Sequence, residues 1–478
     1  MPEVVKRVGS DRACDADVES GSPRWALTGL SLAMLMPSLA TSTANMALPV
    51  LSQEFSISFQ SAQWTVLSYL LMVTAMVVGA GRIGDLIGRG RLMLTGIGVF
   101  SAASIFCALA PNFGLLVAAR LVQGMGAAIM MALTMAFVGD VVPVSRTGRA
   151  MGLLGTMSAA GTALGPALGG MLLAWGGTGM IFLINVPVGL LTFLLLYRAL
   201  PTAKGAVPEG GAEGFDMVGM ALMIVTLTTY ALAMTIGHGE FGLYNVGLMM
   251  AAMVGSILFL AVEAKAASPL IRLGLFRAPA IRSGLGTSAL VSTVMMTTLI
   301  VGPYYLNGAL GLGSTMSGLV LSAGPLVAAI TGFPAGQWVD RVGPDRAVYI
   351  GLSAQLAGCC TLVCLPLSWG LAGYVASIIV ITAGYALFQA ANNSAIMKNA
   401  SAAERGIVSA MIGLSRNLGL VTGASAMGAV FAFGTSTLDV GSAGQDAIAT
   451  GMHLAFAVAA ALTMTAIFLA FLGRVRRN

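Results

Sequence analysis

Long apolar stretches recur along this chain, and its basic residues keep to one side of them. Of 24 Lys and Arg, all but Arg120 and Arg416 fall in segments that alternate with segments holding none. Lys and Arg resist translocation, so the cytoplasmic loops of membrane proteins carry such an excess. A chain patterned this way must thread a bilayer repeatedly. Its composition agrees, at 57% hydrophobic, 9% charged and mean hydropathy +0.90, against about 25% charged in soluble domains. Membrane β-strands are shorter and alternate in polarity, which argues against a barrel. The net charge of +6 is spread over short loops and forms no single basic face, so no nucleic-acid partner is expected. Cys14, Cys107, Cys359, Cys360 and Cys364 lack paired metal-ligand spacing. Neither metal nor cofactor is expected.

Residues 1–25 mix acids and bases without an apolar core, which predicts a disordered cytoplasmic tail and not a cleaved signal. Spans are predicted over 26–51, 61–82, 91–110, 112–139, 147–174, 178–199, 217–236, 243–264, 280–308, 314–338, 347–367, 371–397, 406–434 and 449–473, fourteen in all. Several exceed the roughly 20 residues a crossing needs, implying tilt. An even number returns both termini to one side. Arg474, Arg476 and Arg477 then share the basic side with Arg89, Arg91, Arg146, Arg149, Arg341, Arg346 and Arg405, while Glu54, Glu240, Asp439 and Asp446 lie opposite. A multi-pass protein of the plasma membrane, a bacterial inner membrane, is expected, with both termini cytoplasmic.

The chain also repeats itself. Gly81, Asp85, Gly88 and Arg91 recur 255 residues later as Gly336, Asp340, Gly343 and Arg346. Pro49 and Val66-Leu67-Ser68 recur at an offset of 254 as Pro303 and Val320-Leu321-Ser322, and Gly155, Gly161 and Gly165 recur at 258 as Gly413, Gly419 and Gly423. The expected domains are a six-helix bundle over 26–200, a linker with two extra helices over 201–279, a second bundle over 280–473 and a cytoplasmic end at 474–478. Parallel repeats of this kind rock around a midplane site, so the duplication argues for alternating access.

The stretch Gly81-Arg-Ile-Gly-Asp85-Leu-Ile-Gly88-Arg89-Gly-Arg91 resembles the loop between helices 2 and 3 of the major facilitator superfamily. Arg120-Leu-Val-Gln123-Gly124-Met-Gly126 in the fourth span is similar to another shared motif. Gly161-Thr-Ala-Leu-Gly165-Pro166-Ala-Leu-Gly169-Gly170 in the fifth looks like the motif of that superfamily's drug antiporters. With fourteen spans, the chain resembles the fourteen-helix drug:proton antiporter branch from Trp25 to Val475. The resemblance implies an all-α polytopic membrane protein of the major-facilitator fold, with 14 transmembrane helices as two six-helix bundles plus two inserted helices. It further implies a secondary efflux transporter for amphiphilic drugs, coupled to protons, and no enzyme. A monomer in contact with membrane lipid is expected. A dedicated metabolite transporter or lipid flippase on the same scaffold is the alternative, with a non-transporting receptor further off.

By the same resemblance Gly81, Asp85, Gly88, Arg89, Arg91 and Asp140 form a latch at the cytoplasmic mouth, with Asp340 and Arg341 a counterpart in the second half. Leu86 stands where the family has a base. Turn-forming glycines and topogenic bases would give part of this pattern without any switch, and both readings stay open. Gly161, Gly165 and Gly169 share one helix face at a spacing of four, which permits close packing, and Pro166 removes a backbone hydrogen bond. The implied role is a hinge that seals the path against leak; simple close packing is the other reading.

Charge in hydrocarbon is expensive and marks function. Arg120 and Arg416 lie well inside predicted spans, and no carboxylate falls near a midplane. In the fourteen-helix exporters an acid precedes Asn-x-Ala-Leu-Pro in helix 1; here Asn45-Met-Ala47-Leu-Pro49 follows Ala40 in that position. Neutral, zwitterionic or weakly anionic amphiphiles are therefore expected as substrates, with Arg120 as a polar anchor. Asp85 and Asp140 are the candidates for proton exchange; Asp216 reads as a helix N-terminal charge and His453 as a peripheral polar residue. Candidate cavity residues, from the helices that line the family's cleft, are Thr41, Asn45, Trp64, Tyr69, Arg120, Gln123, Tyr304, Tyr305, Gln389, Asn392 and Asn393. Trp64 and Tyr305 also fit interfacial anchors, and Asn392 and Asn393 fit interhelical bonds.

Overall fold

A computed structural model describes residues 23–141, 147–199, 216–236, 242–266, 274, 276, 278–398, 405–436 and 443–475. The expected tail before Pro23, the linker over 201–215, Arg146 and the last three residues lie outside them. So do the side chains of Asp85, Asp140 and Arg149. The described residues are almost entirely helical. The first part comprises α1 (Pro23–Glu54), α2 (Phe59–Ile87), α3 (Arg89–Ala108), α4 (Phe113–Val141), α5 (Thr147–Gly176), α6 (Thr178–Leu183) and α7 (Asn185–Ala199). A pair follows, α8 (Met217–Thr235) and α9 (Leu243–Glu263). The remainder is α10 (Pro279–Tyr304), α11 (Ser314–Val342), α12 (Pro344–Val363), α13 (Gly370–Lys398), α14 (Arg405–Thr422), α15 (Gly428–Thr435) and α16 (Gln445–Val475). A π-helical turn, Tyr305–Ala309, extends α10, and another, Gly423–Met427, joins α14 to α15.

Among the described residues twelve helices are long and apolar enough to cross a membrane, where the sequence predicts fourteen. The predicted spans outside the twelve, 61–82 and 147–174, fall on α2 and α5, helices of 29 and 30 residues that each contain side chains outside the described set. The span predicted over 178–199 is two helices in line, α6 and α7. The predicted Asp216 cap is present: its carboxylate accepts from the Gly219 N–H at 2.7 Å.

Helices α1–α7 pack mainly on one another, and so do α10–α16; α8 and α9 pair together beside α2 and the π turn of α14. The internal repeat is visible at two levels. Gly88 (φ +97°) ends α2 and starts α3, and Gly343 (φ +89°) does the same between α11 and α12. A side chain at either would strain the left-handed turn, which is why glycine stands at both. The second level is the glycine face of α5. A Cβ on Gly161 would fall 2.5 Å from the Leu35 carbonyl of α1, and one on Gly165 would run into Ser42. In the second half Gly419 meets Ala289 and Ser292 of α10, and Gly423 meets Thr293 and Met296.

Pro166 interrupts α5 where it makes this contact, and a hydroxyl from α1 repairs the break. Pro166 cannot donate to the Thr162 carbonyl one turn earlier; Ser42 Oγ donates to it at 3.0 Å. Beside the π turn of α14, Thr293 Oγ1 donates to the Gly419 carbonyl at 3.0 Å. A buried carbonyl left unpaired would cost about 1–3 kcal/mol. The Ser42 bond therefore lets α5 stay broken at depth.

Candidate functional site

Arg120 is wholly buried inside the first half. Its Nε donates to the Thr65 carbonyl of α2 at 2.7 Å and its Nη1 to Gln123 Oε1 at 2.6 Å, while Gln123 Nε2 donates to Ser104 Oγ of α3 at 2.8 Å. The guanidinium lies 4.3 Å from the centroid of the Tyr69 ring and 5.8 Å from that of Phe182. Delocalised charge stacked on π-faces is the least costly way to hold a cation in an apolar interior. Nη2 has no hydrogen-bond partner. Tyr69 donates to the Pro37 carbonyl at 3.1 Å, which also accepts from Thr41 at 3.0 Å. Asn45 is buried on α1. Its amide atoms have no hydrogen-bond partner among the described residues, whereas Thr41, Tyr69, Arg120 and Gln123 form a network that binds α1 to α4 together.

Trp64 faces outward from that network, its Nε1 donating to Thr235 Oγ1 of α8 at 3.1 Å. Tyr305 stacks on Tyr374 of α13 with centroids 5.5 Å apart and 29° between planes, and both hydroxyls are buried without a partner. Asn392 Nδ2 donates to the Gly284 carbonyl of α10 at 3.0 Å, an interhelical bond. Gln389 lies beside Tyr385, with Arg416 close by; Asn393 is half-buried. His453 meets the Leu365 carbonyl at 2.9 Å.

A small cavity of about 90 Å³ opens where α5 meets the second half. Thr162 of α5 faces Thr298 of α10, Pro325 of α11, and Tyr374, Thr382 and Tyr385 of α13. Among the described residues, none that lines the cavity is charged. Neither this group nor its hydroxyls were among the residues singled out from sequence. The available signal was Tyr374, Thr382 and Tyr385, spaced eight and then three residues apart on one apolar helix, which puts them on roughly one face. A second cavity lies within the second half, with Asp345, Tyr349, Asn392 and Arg474 in its walls.

The end of the molecule that carries Glu54 and Asp446 is closed across the two halves. Phe59 of α2 stands edge-on to Tyr304 at 4.7 Å and to Phe431 of α15 at 5.6 Å, all three buried. Gln63 presses on Gly428, the Pro166 carbonyl on Gly318, and the Ser314 carbonyl on Gly170. Toward the basic end, no described atom lies within 4 Å of a Cβ built on Gly81, Gly332, Gly336 or Gly413. Here Asp340, Arg341 and Arg91 are exposed, and Arg89 is half-buried at the start of α3. The contacts of the latch rest on Asp85 and Asp140, whose side chains are outside the described residues.

Two groups of helices, twelve of the described ones long and apolar enough to cross a membrane, in contact at the acidic end and with a cavity between them, make the architecture of a multi-pass membrane transporter. The sequence pattern of the Major Facilitator Superfamily matches residues 30–424, and this chain belongs to that family. It is 29% identical over 418 residues to the multidrug efflux pump LfrA of Mycolicibacterium smegmatis, covering 87% of this chain and 82% of that protein. It is 27% identical over 405 residues to the riboflavin transporter RibZ of Clostridioides difficile, covering 84% and 87%. Its fold matches a crystal structure of a bacterial homologue of the lysosomal transporter Spinster with a TM-score of 0.67, at 17% identity, over 94% of this chain and 96% of that one.

Proposed function

We propose that this protein is a secondary exporter of neutral amphiphilic small molecules, drugs among them, driven by proton antiport through alternating access. The observation that carries the substrate class is the cavity between α5 and the second half, whose described lining residues offer hydroxyls and aromatic rings and no charge. An anionic wall would favour organic cations; this one offers dispersion, stacking and a few hydrogen bonds. The similarity to named multidrug pumps supports export. On this reading α2 and α5 also cross the bilayer, making fourteen spans: at about 1.5 Å per residue each exceeds the roughly 30 Å core. The two predicted bundles rock as units, both termini face the cytoplasm of a bacterial cell, and the monomer is the working form. Asp85, Arg89 and Asp140 close the cytoplasmic mouth when the opposite end opens, with protons exchanged there.

A second reading is transport of one dedicated metabolite, favoured by the riboflavin transporter among the relatives. An accumulation screen in a strain lacking its own exporters separates the two. Expression should lower cellular Nile red, a neutral dye, much more than ethidium, a permanent cation, and a protonophore should abolish the difference. Equal export of ethidium would refute the charge preference. Movement of riboflavin alone would favour the dedicated transporter.

A further inference from the structure

Gln63 is wholly buried at the acidic-end contact between the two halves, yet neither of its amide atoms has a hydrogen-bond partner among the described residues. It stands one turn beyond Phe59 on α2, the ring that meets Tyr304 and Phe431 edge-on. Its amide bears on the backbone of Gly428, the first residue of α15. A Cβ on Gly428 would fall 2.7 Å from Gln63 Cδ and 3.1 Å from Oε1, so any larger residue would displace the amide. Helices of opposite halves thus meet here through a ring cluster and, beside it, a dry amide in a glycine slot.

The two parts of this contact pull in opposite directions. Phe59 and Phe431 gain by leaving water. The amide gives up its bonds to water, and no described residue replaces them. One unpaired buried polar group is costly enough to move a two-state balance about fivefold or more. That cost is recovered when α2 and α15 part and the amide is wetted again. We infer that Gln63 is a positioning residue of the transport cycle: its dehydrated amide weakens the closed acidic end so that this end can open, and Gly428 is the slot that keeps the amide dry. Gln63 acts without touching substrate, since it is not among the residues that line the cavity. This inference rests on the alternating-access reading.

A series of nearly constant length at one position tests it, read by amide hydrogen exchange on the full chain in lipid nanodiscs at neutral pH. Gln63→Met keeps an unbranched side chain and removes the amide; Gln63→Glu keeps the shape and adds a charge, which is costlier still to dehydrate. At the acidic-side ends of α2 and α15, exchange should slow about threefold or more in Gln63→Met and quicken about threefold or more in Gln63→Glu. The basic-side ends of α2 and α11 should shift the opposite way in each. If Gln63 only filled space, both substitutions would disturb the contact and quicken acidic-side exchange alike. Shifts of one sign in both variants, or none, overturn the inference. Gly318→Ala separates it from the reading beneath. A Cβ there runs into the Pro166 carbonyl across the halves, with no atom of Gln63 among its nearest neighbours. It should quicken the acidic side and slow the basic side whatever Gln63 does. A basic side that fails to respond to Gly318→Ala would sink alternating access itself; a reciprocal response there, without opposite shifts in the Met and Glu variants, overturns the role of Gln63 alone.

Discussion

Arg120 holds its charge inside a helix bundle with two hydrogen bonds and the face of Tyr69. Lysine has a point charge on a flexible stem and cannot reach Thr65 and Gln123 in one planar fork. Arg120→Lys should therefore destabilise the protein by about 1–3 kcal/mol, seen as a lower melting temperature in detergent; an unchanged melt would show that the fork contributes nothing. In the cavity, Tyr374→Phe keeps the ring and removes one hydroxyl. It should weaken Nile red binding by about 1 kcal/mol, roughly fivefold, measured by fluorescence titration. Residue identity made Arg120 conspicuous, since charge amid apolar sequence needs an explanation. Its surroundings were not legible, because which helix face meets which neighbour is set by rotation about each axis. The same limit hid Thr162, Tyr374 and Tyr385, ordinary residues until α5, α10, α11 and α13 converge on them. Trp64 shows the same limit: its partner lies on α8, and nothing in the sequence says where the inserted pair docks.

Among elements, α5 and α1 show how a broken helix is tolerated at membrane depth. Ser42→Ala should leave the Thr162 carbonyl unpaired and cost about 1–3 kcal/mol of stability. In a Pro166→Ala background, where the substituted residue regains a backbone N–H and restores the helical bond, the same change should cost far less. A double-mutant cycle by thermal melting measures that coupling, and equal costs in both backgrounds would disprove the repair. Gly165→Val drives atoms into Ser42 and should cost about 1–3 kcal/mol, whereas at Gly169 the nearest neighbours of a Cβ are 3.3 Å away and alanine should be tolerated better. The glycine spacing, the turn glycines Gly88 and Gly343 and the proline were all readable from sequence, because each has a backbone consequence of its own. The π turns were not: Tyr305–Ala309 and Gly423–Met427 arise from packing that no local pattern encodes.

For the whole molecule, the charge asymmetry and the internal repeat carried the prediction to a membrane transporter, since topogenic bases and duplicated motifs survive in a linear reading. The count of crossings fared less well: twelve helices qualify among the described residues against fourteen predicted. On the proposed alternating-access reading, the contacts of Phe59, Tyr304 and Phe431 belong to the state closed at the acidic end. The claim on which the account turns is that neutral substrate and protons pass through the protein in exchange. Protein reconstituted into liposomes with trapped pyranine reports it directly, as the internal pH change when substrate is added outside. Nile red should produce a protein-dependent pH change several times that of ethidium, absent from empty liposomes. A response to ethidium as large as to Nile red, or no response to either, would contradict the account.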